Sequence, residues 1–123
     1  MPQNPVVWFE IYVQDMARAK AFYESVLNVR LERLPSPELE MWAFPMEREG
    51  TGAAGALAKM PGVNSGGNST IVYFSSEDCS VEADRVVPAG GRLHRPKESI
   101  GQYGFIALAV DPEGNMFGVH SMK

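Results

Sequence analysis

The chain has 123 residues, 45% of them hydrophobic, which suffices for one compact domain with its own core and is too few for two ordinary ones. Eleven Lys and Arg against fifteen Asp and Glu leave a net charge of -4, and no basic run gathers positive charge on one face, so nucleic acid is not an expected partner. Cys79 is the only cysteine and has no partner for a disulfide or a thiolate metal cluster, which fits a reducing compartment. The N-terminus lacks a charged apolar leader and no window approaches the roughly 18 apolar residues that cross a bilayer, so the expectation is a cytoplasmic protein without membrane contact.

The first element is `VVWFEIYV`, residues 6–13, whose β-branched and aromatic residues read as a strand buried on both faces or nearly so. Asp15 then supplies an N-cap for `MARAKAFYESVL`, where Met16, Ala19, Phe22, Tyr23, Val26 and Leu27 recur at helical spacing. Phe22 and Tyr23 read as core. Three strands are expected next, in `VRLERL`, `LEMWAFPME` and `TGAAGALAKM`. The stretch `GTGAAGA`, 50–56, lacks the Lys-Ser/Thr of a phosphate loop, and its small residues suit close approach of a backbone or room for a ligand.

The turn-rich stretch 60–69 reads as a connector. Beyond it the pattern starts again. `TIVYFSS` is a strand, Asp78 a second N-cap, and `CSVEADRVVPAGG` a helix stopped by Pro88 and Gly90-Gly91. Strands follow in `RLHRP`, `YGFIALAVD` and `NMFGVHSM`. The two caps lie 63 residues apart, an offset that sets Trp8 over Ile71 and Glu10 over Tyr73. The chain therefore reads as one α+β domain, 1–123, made of two βαβββ modules of about 5–59 and 69–122 with a linker at 60–68. Its expected architecture is a tandem repeat forming one curved mixed sheet around a cavity.

This tandem pattern, with `RAKAFYESVLNV` and the terminal `DPEGN` turn, resembles the vicinal oxygen chelate superfamily, which includes glyoxalase I, extradiol dioxygenases and the bleomycin resistance proteins. The resemblance runs from about Val6 to His120. Metal-dependent members place a His or Glu on the first and last strand of each repeat. Matched by motif, those slots fall here on Trp8, Ala56, Ile71 and Gly118, with Gly55 or Leu57 as one-residue alternatives to Ala56. None of the four carries a donor atom, so the resemblance implies a member without metal or other cofactor, and one that forms a homodimer.

If Trp8 faces inward with its slot, strand alternation sends Glu10 and Tyr12 with it and turns Phe9, Ile11 and Val13 to the helix. Likewise Ile71, Tyr73, Ser75, Met116, Gly118 and His120 face the cavity, while Val72, Phe74, Phe117 and Val119 pack. The expected ligand-binding set is therefore Trp8, Tyr12, Ala56, Ile71, Tyr73, Met116 and Gly118, with Glu10 and His120 as titratable candidates for catalysis. Glu10, partly desolvated, could act as a general base, or it could be solvated or paired with an arginine. His120 could complete an acid-base pair or simply cap the sheet end. His94, between Arg92 and Arg95, reads as a surface residue, and Asp111 and Glu113 as turn formers.

Two functions are compatible with this pattern. One is a metal-free binder of a small organic molecule in an aromatic-lined cavity. The other is a metal-independent lyase or isomerase with Glu10 as base. They differ in what they require of Glu10, which an enzyme needs unpaired in the pocket.

Overall fold

The computed structural model describes residues 4–37 and 39–123. The first module contains β1 (Trp8–Tyr12), α1 (Met16–Leu27), β2 (Glu32–Leu34), β3 (Glu40–Ala43) and β4 (Ala54–Lys59). The second contains β5 (Val72–Ser75), α2 (Cys79–Val86), β6 (Arg92–Ser99), a 3-10 turn at Gly101–Tyr103, β7 (Phe105–Val110) and β8 (Met116–Ser121). The tandem βαβββ order is as expected. Its strands form two four-stranded mixed sheets, β1-β4-β3-β2 and β5-β8-β7-β6, with no closed barrel.

The two sheets repeat each other in register as well as in order. In the first, β1 runs parallel to β4 with Glu10 opposite Ala56. In the second, β5 runs parallel to β8 with Tyr73 opposite Gly118. Both helices are capped as the sequence indicates: Asp15 accepts from Arg18 N and Asp78 from Ser80 N. Helix α1 ends on Asn28 in the left-handed region at φ 55°, a conformation that asparagine tolerates better than most residues.

Each sheet turns one face to the helices. Phe9, Ile11 and Trp42 from the first sheet and Phe74, Phe117 and Val119 from the second join Phe22, Tyr23 and Val26 of α1 in one apolar cluster. Tyr23 lies at its centre, with the rings of Phe22, Phe44, Phe74 and Phe117 at 5.0–6.0 Å in tilted or edge-on contact. Both modules thus contribute to the same packed interior. Arg85 of α2 adds a hydrogen bond to Val26 O at the end of α1.

The `DPEGN` turn also links the modules. Asp111 is buried and accepts from Tyr23 Oη and from the backbone N–H groups of Glu113 and Asn115. Glu113, also buried, reaches the start of the first helix, where it accepts from Gln14 N, Asp15 N and Arg18. Burial, the largest influence on Glu113, pushes its carboxyl up, but the hydrogen bonds from Gln14 N, Arg18 and Asp15 N outweigh it. The carboxyl lies below its ordinary value.

Two expectations need correction. The first strand is not buried on both faces: Glu10 is exposed and its neighbours are half-buried, because one face of the sheet has nothing packed on it among the described residues. The strand expected in `RLHRP` is longer than that stretch, since β6 continues past Pro96 to Ser99. Pro96 lies where the pairing with β7 slips between Arg95 and Glu98, and an edge strand with a bulge tolerates a missing N–H donor.

Candidate functional site

The faces turned away from the helices carry the residues expected to meet a ligand. On β1, side chains at alternate positions project together, which brings Trp8, Glu10 and Tyr12 into direct contact. Trp8 Nε1 donates to Glu10 Oε2 at 3.1 Å, and Tyr12 Oη donates to Glu10 Oε1 at 2.7 Å. The carboxylate is therefore held from both sides by aromatic donors on its own strand. This hydrogen bond to Glu10, followed by burial and the Glu10 charge, pushes the Tyr12 phenol above its ordinary value and keeps it protonated. Beside this trio β4 offers only small side chains, with Ala54 opposite Trp8, Ala56 opposite Glu10 and Ala58 opposite Tyr12.

The second sheet repeats the arrangement with different chemistry. Tyr73, the counterpart of Glu10, is 47% exposed and its ring packs beside Gly118. A Cβ on Gly118 would fall 2.4 Å from the Tyr73 ring, so the ring occupies the space a side chain would take. Ile71, directly before β5, is exposed and Met116 half-buried.

One space among the described residues gathers only part of the expected set. It measures about 270 Å³, opens between β1 and the start of β5, and of that set is lined by Glu10, Tyr12 and Met116. Trp8, Ala56, Ile71, Tyr73, Gly118 and His120 do not line it. The acid-base pair is absent too: His120 Nε2 lies 2.7 Å from Tyr103 O in its own module, and no hydrogen bond joins it to Glu10 among the described residues. Nor is Glu10 desolvated, and its partners are Trp8 and Tyr12 in place of the arginine considered from sequence. His94 is exposed, as expected.

Three asparagines escaped the sequence reading. Asn64, Asn68 and Asn115 line the same 270 Å³ space. The Asn68 side chain accepts from Met116 N and donates to Met116 O, so it acts as a one-residue extension of the ladder beyond β5. Asn115 donates to Tyr12 O and accepts from Gly66 N, tying β1 to the linker. In the turn itself only Gly114 has positive φ, so Asn115 acts through its amide and not through backbone tolerance. An asparagine directly before a strand was the available signal.

Metal chemistry finds no donor set here. Trp8, Ala56, Ile71 and Gly118 have no ligating side chain, and among the described residues no group of three or more His, Cys, Asp or Glu is placed to hold an ion. No helix of the described residues is long and apolar enough to cross a membrane.

Comparison with known proteins agrees with the geometry. A curated relative from Mycobacterium bovis, provisionally named glyoxylase CFP32, is 29% identical over 114 residues, covering 91% of this chain and 43% of that protein. The chain thus spans less than half the length of the curated relatives it matches. Among solved structures, glyoxalase I from Zea mays superposes with a TM-score of 0.72 at 23% identity, over 94% of this chain and 43% of that one. TnmS3, an antibiotic-binding protein from a Streptomyces species, superposes at 0.71 with 22% identity, over 100% of this chain and 99% of that one. A glyoxylase/bleomycin resistance protein/dioxygenase domain from a Frankia species reaches 0.74 at 15% identity, over 99% and 100%. The family model of this group matches residues 6–119, and the chain belongs to the glyoxalase/bleomycin resistance protein/dioxygenase superfamily.

Proposed function

We propose that the chain is a metal-independent binder of a small organic molecule, which it holds on the open faces of its sheets. The observation that carries this reading is the pairing of Glu10. Both carboxylate oxygens accept hydrogen bonds from Trp8 and Tyr12 while the group stays exposed, and this favours a fixed anionic contact point. A general base needs the opposite, a carboxylate unpaired and desolvated in a pocket. The reading of Glu10 and His120 as a catalytic pair in a lyase or isomerase is therefore the weaker one.

The open faces suit a ligand with a flat apolar part and a positive or hydrogen-bond-donating group. Trp8, Tyr12 and Tyr73 supply aromatic surface packed beside the small, buried Ala56 and Gly118, and Ile71 and Met116 add apolar contact. A complete pocket needs a second wall over each open face, and a second copy of the chain supplies it in our proposal of a homodimer. The shared core supports treating both modules as one domain. The buried, unpaired Cys79 fits the reducing cytoplasm.

The test is a thermal-shift screen of basic aromatic compounds, glutathione adducts and small 2-oxo compounds against protein analysed for metal by plasma mass spectrometry. Stabilisation by a basic aromatic compound, in protein with less than stoichiometric metal and no turnover, is the expected result. One transition metal per chain retained through dialysis, or turnover of a 2-oxo compound, counts against it. Light scattering at micromolar concentration should give the mass of two chains.

A further inference from the structure

β1 and β5 are edge strands that do not pair with each other among the described residues, and Phe9 of one meets Phe74 of the other at 6.0 Å along the seam between them. At one end lies the space lined by Ile11, Tyr12, Val72, Asn115 and Met116. The repeat converts these residues into Phe74, Ser75, Phe9, Ala53 and Ala54, and all five line a separate cavity of about 250 Å³ at the other end. The two spaces are pseudo-equivalent, but their chemistry has diverged. Both are mainly apolar and share Phe9, but Asn64, Asn68 and Asn115 stand at the first, whereas Phe44 and Phe74 stand at the second.

Those three rings lie 5.3–6.0 Å apart by centroid. Ala53 and Ala54 leave the rim open where Asn115 and Met116 stand at the other end. One acidic group lines this space, Glu82 of α2. Ser76 Oγ donates to Glu82 Oε1, and among the described residues Oε2 accepts no hydrogen bond. A half-buried carboxylate with a spare oxygen beside phenyl rings is complementary to a cation that carries a ring, since the carboxylate attracts the positive charge and the rings supply apolar contact. The volume exceeds the roughly 150 Å³ that admits benzene, so a single ring with a short charged arm fits.

We propose that this cavity is a second binding site, separate from the face that carries Glu10, and that it takes a small aromatic ammonium ion. The ring packs against Phe9, Phe44 and Phe74, and the ammonium N–H donates to Glu82 Oε2. Phe9 also lines the space at the opposite end, so a molecule bound here touches a wall shared by both.

Titration of the intact protein with 2-phenylethylammonium, followed by amide-correlation NMR and calorimetry, tests the site, with 2-phenylethanol as the neutral compound of the same shape. Saturable binding with a dissociation constant on the order of 1 mM is expected, with shifts centred on Phe9, Phe44, Phe74 and Glu82. The alcohol should bind about tenfold more weakly, and Glu82→Gln should remove that difference by weakening the ammonium alone. Ala53→Leu, which fills the rim, should weaken both. Equal binding of ammonium and alcohol to the parent protein overturns the proposal without need of a variant. So do shifts centred on Trp8, Tyr12 and Tyr73, or no saturation by about 50 mM.

Discussion

Tyr23 donates a hydrogen bond to Asp111 at 2.7 Å, from the first helix to the turn before the last strand, inside the core that both modules share. Burial, then the Asp111 charge and this hydrogen bond, push the phenol well above its ordinary value, so the proton stays on Tyr23. Tyr23→Phe keeps the ring and its contacts with Phe44, Phe74 and Phe117 but removes one donor from a buried carboxylate. We expect a loss of roughly 1.5–3 kcal/mol, the range for a hydrogen bond to a charged group. Urea unfolding checks it, and a loss under about 0.5 kcal/mol would mean that the remaining donors to Asp111 compensate.

Two glycines at repeat-related strands should respond differently to the same substitution. A Cβ at Gly55 would fall 2.4 Å from the ring of Phe9, and a Cβ at Gly118 would fall 2.4 Å from the ring of Tyr73. Phe9 is wedged between Phe44 and Phe74, so Gly55→Ala forces the core apart and should cost about 1–3 kcal/mol. Tyr73 is 47% exposed and can swing outward. Gly118→Ala should therefore change the unfolding midpoint little while altering ligand binding on the open face. Equal destabilisation by both would show that Tyr73 is held as firmly as Phe9.

Glu113 predicts an acid limit on stability. Its folded carboxyl lies below the ordinary 4.5, so the unfolded chain binds the proton more readily. The stabilisation is accordingly present above about pH 4.5 and is lost as pH falls through the lower folded value. Asp78, held down to about 2 chiefly by its hydrogen bond from Lys97, acts in the same direction further into acid. Glu113→Gln should cost on the order of 2–4 kcal/mol at neutral pH. Most of that comes from the backbone donors of Gln14 and Asp15, because Arg18 is half exposed and screened. Unfolding from pH 7 to pH 3 should show a flatter stability curve for the variant, and parallel curves would remove Glu113 from the account.

Much of this architecture was legible because local signals agreed. Asp15 and Asp78 are both helix caps, the apolar spacing of α1 follows its buried face, and the 63-residue offset reappears as the matching register of Glu10 with Ala56 and Tyr73 with Gly118. The extent of β6 was not legible. A proline ordinarily stops a strand, and only the slipped pairing with β7 shows why Pro96 is tolerated. Alternation also assigned Glu10 to its face correctly, but the partners of its carboxylate depend on rotamers. Strand period brings Trp8 and Tyr12 alongside without saying that both will donate. The seam was hidden for a related reason: Asn115 bridges it to Tyr12 through its side-chain amide, which leaves no periodic trace.

Glu10→Gln separates the two functions this site could serve. The side chain is exposed and its partners are neighbours on the same strand, so the substitution should leave folding nearly unchanged. A glutamine retains the shape and one acceptor but loses the charge and one of the two acceptors that Trp8 and Tyr12 use. If Glu10 is an anionic contact for a basic ligand, affinity should fall by roughly 0.5–3 kcal/mol, the range spanned by neutral and charge-assisted hydrogen bonds. Uncharged analogues of that ligand should lose much less, because the missing interaction is with their missing charge. If Glu10 is a general base, turnover should instead fall by about 10²–10⁴ with binding little altered. Calorimetry and steady-state rates on the same preparation distinguish these outcomes. Unchanged binding and turnover would leave the carboxylate with no role beyond orienting Trp8 and Tyr12.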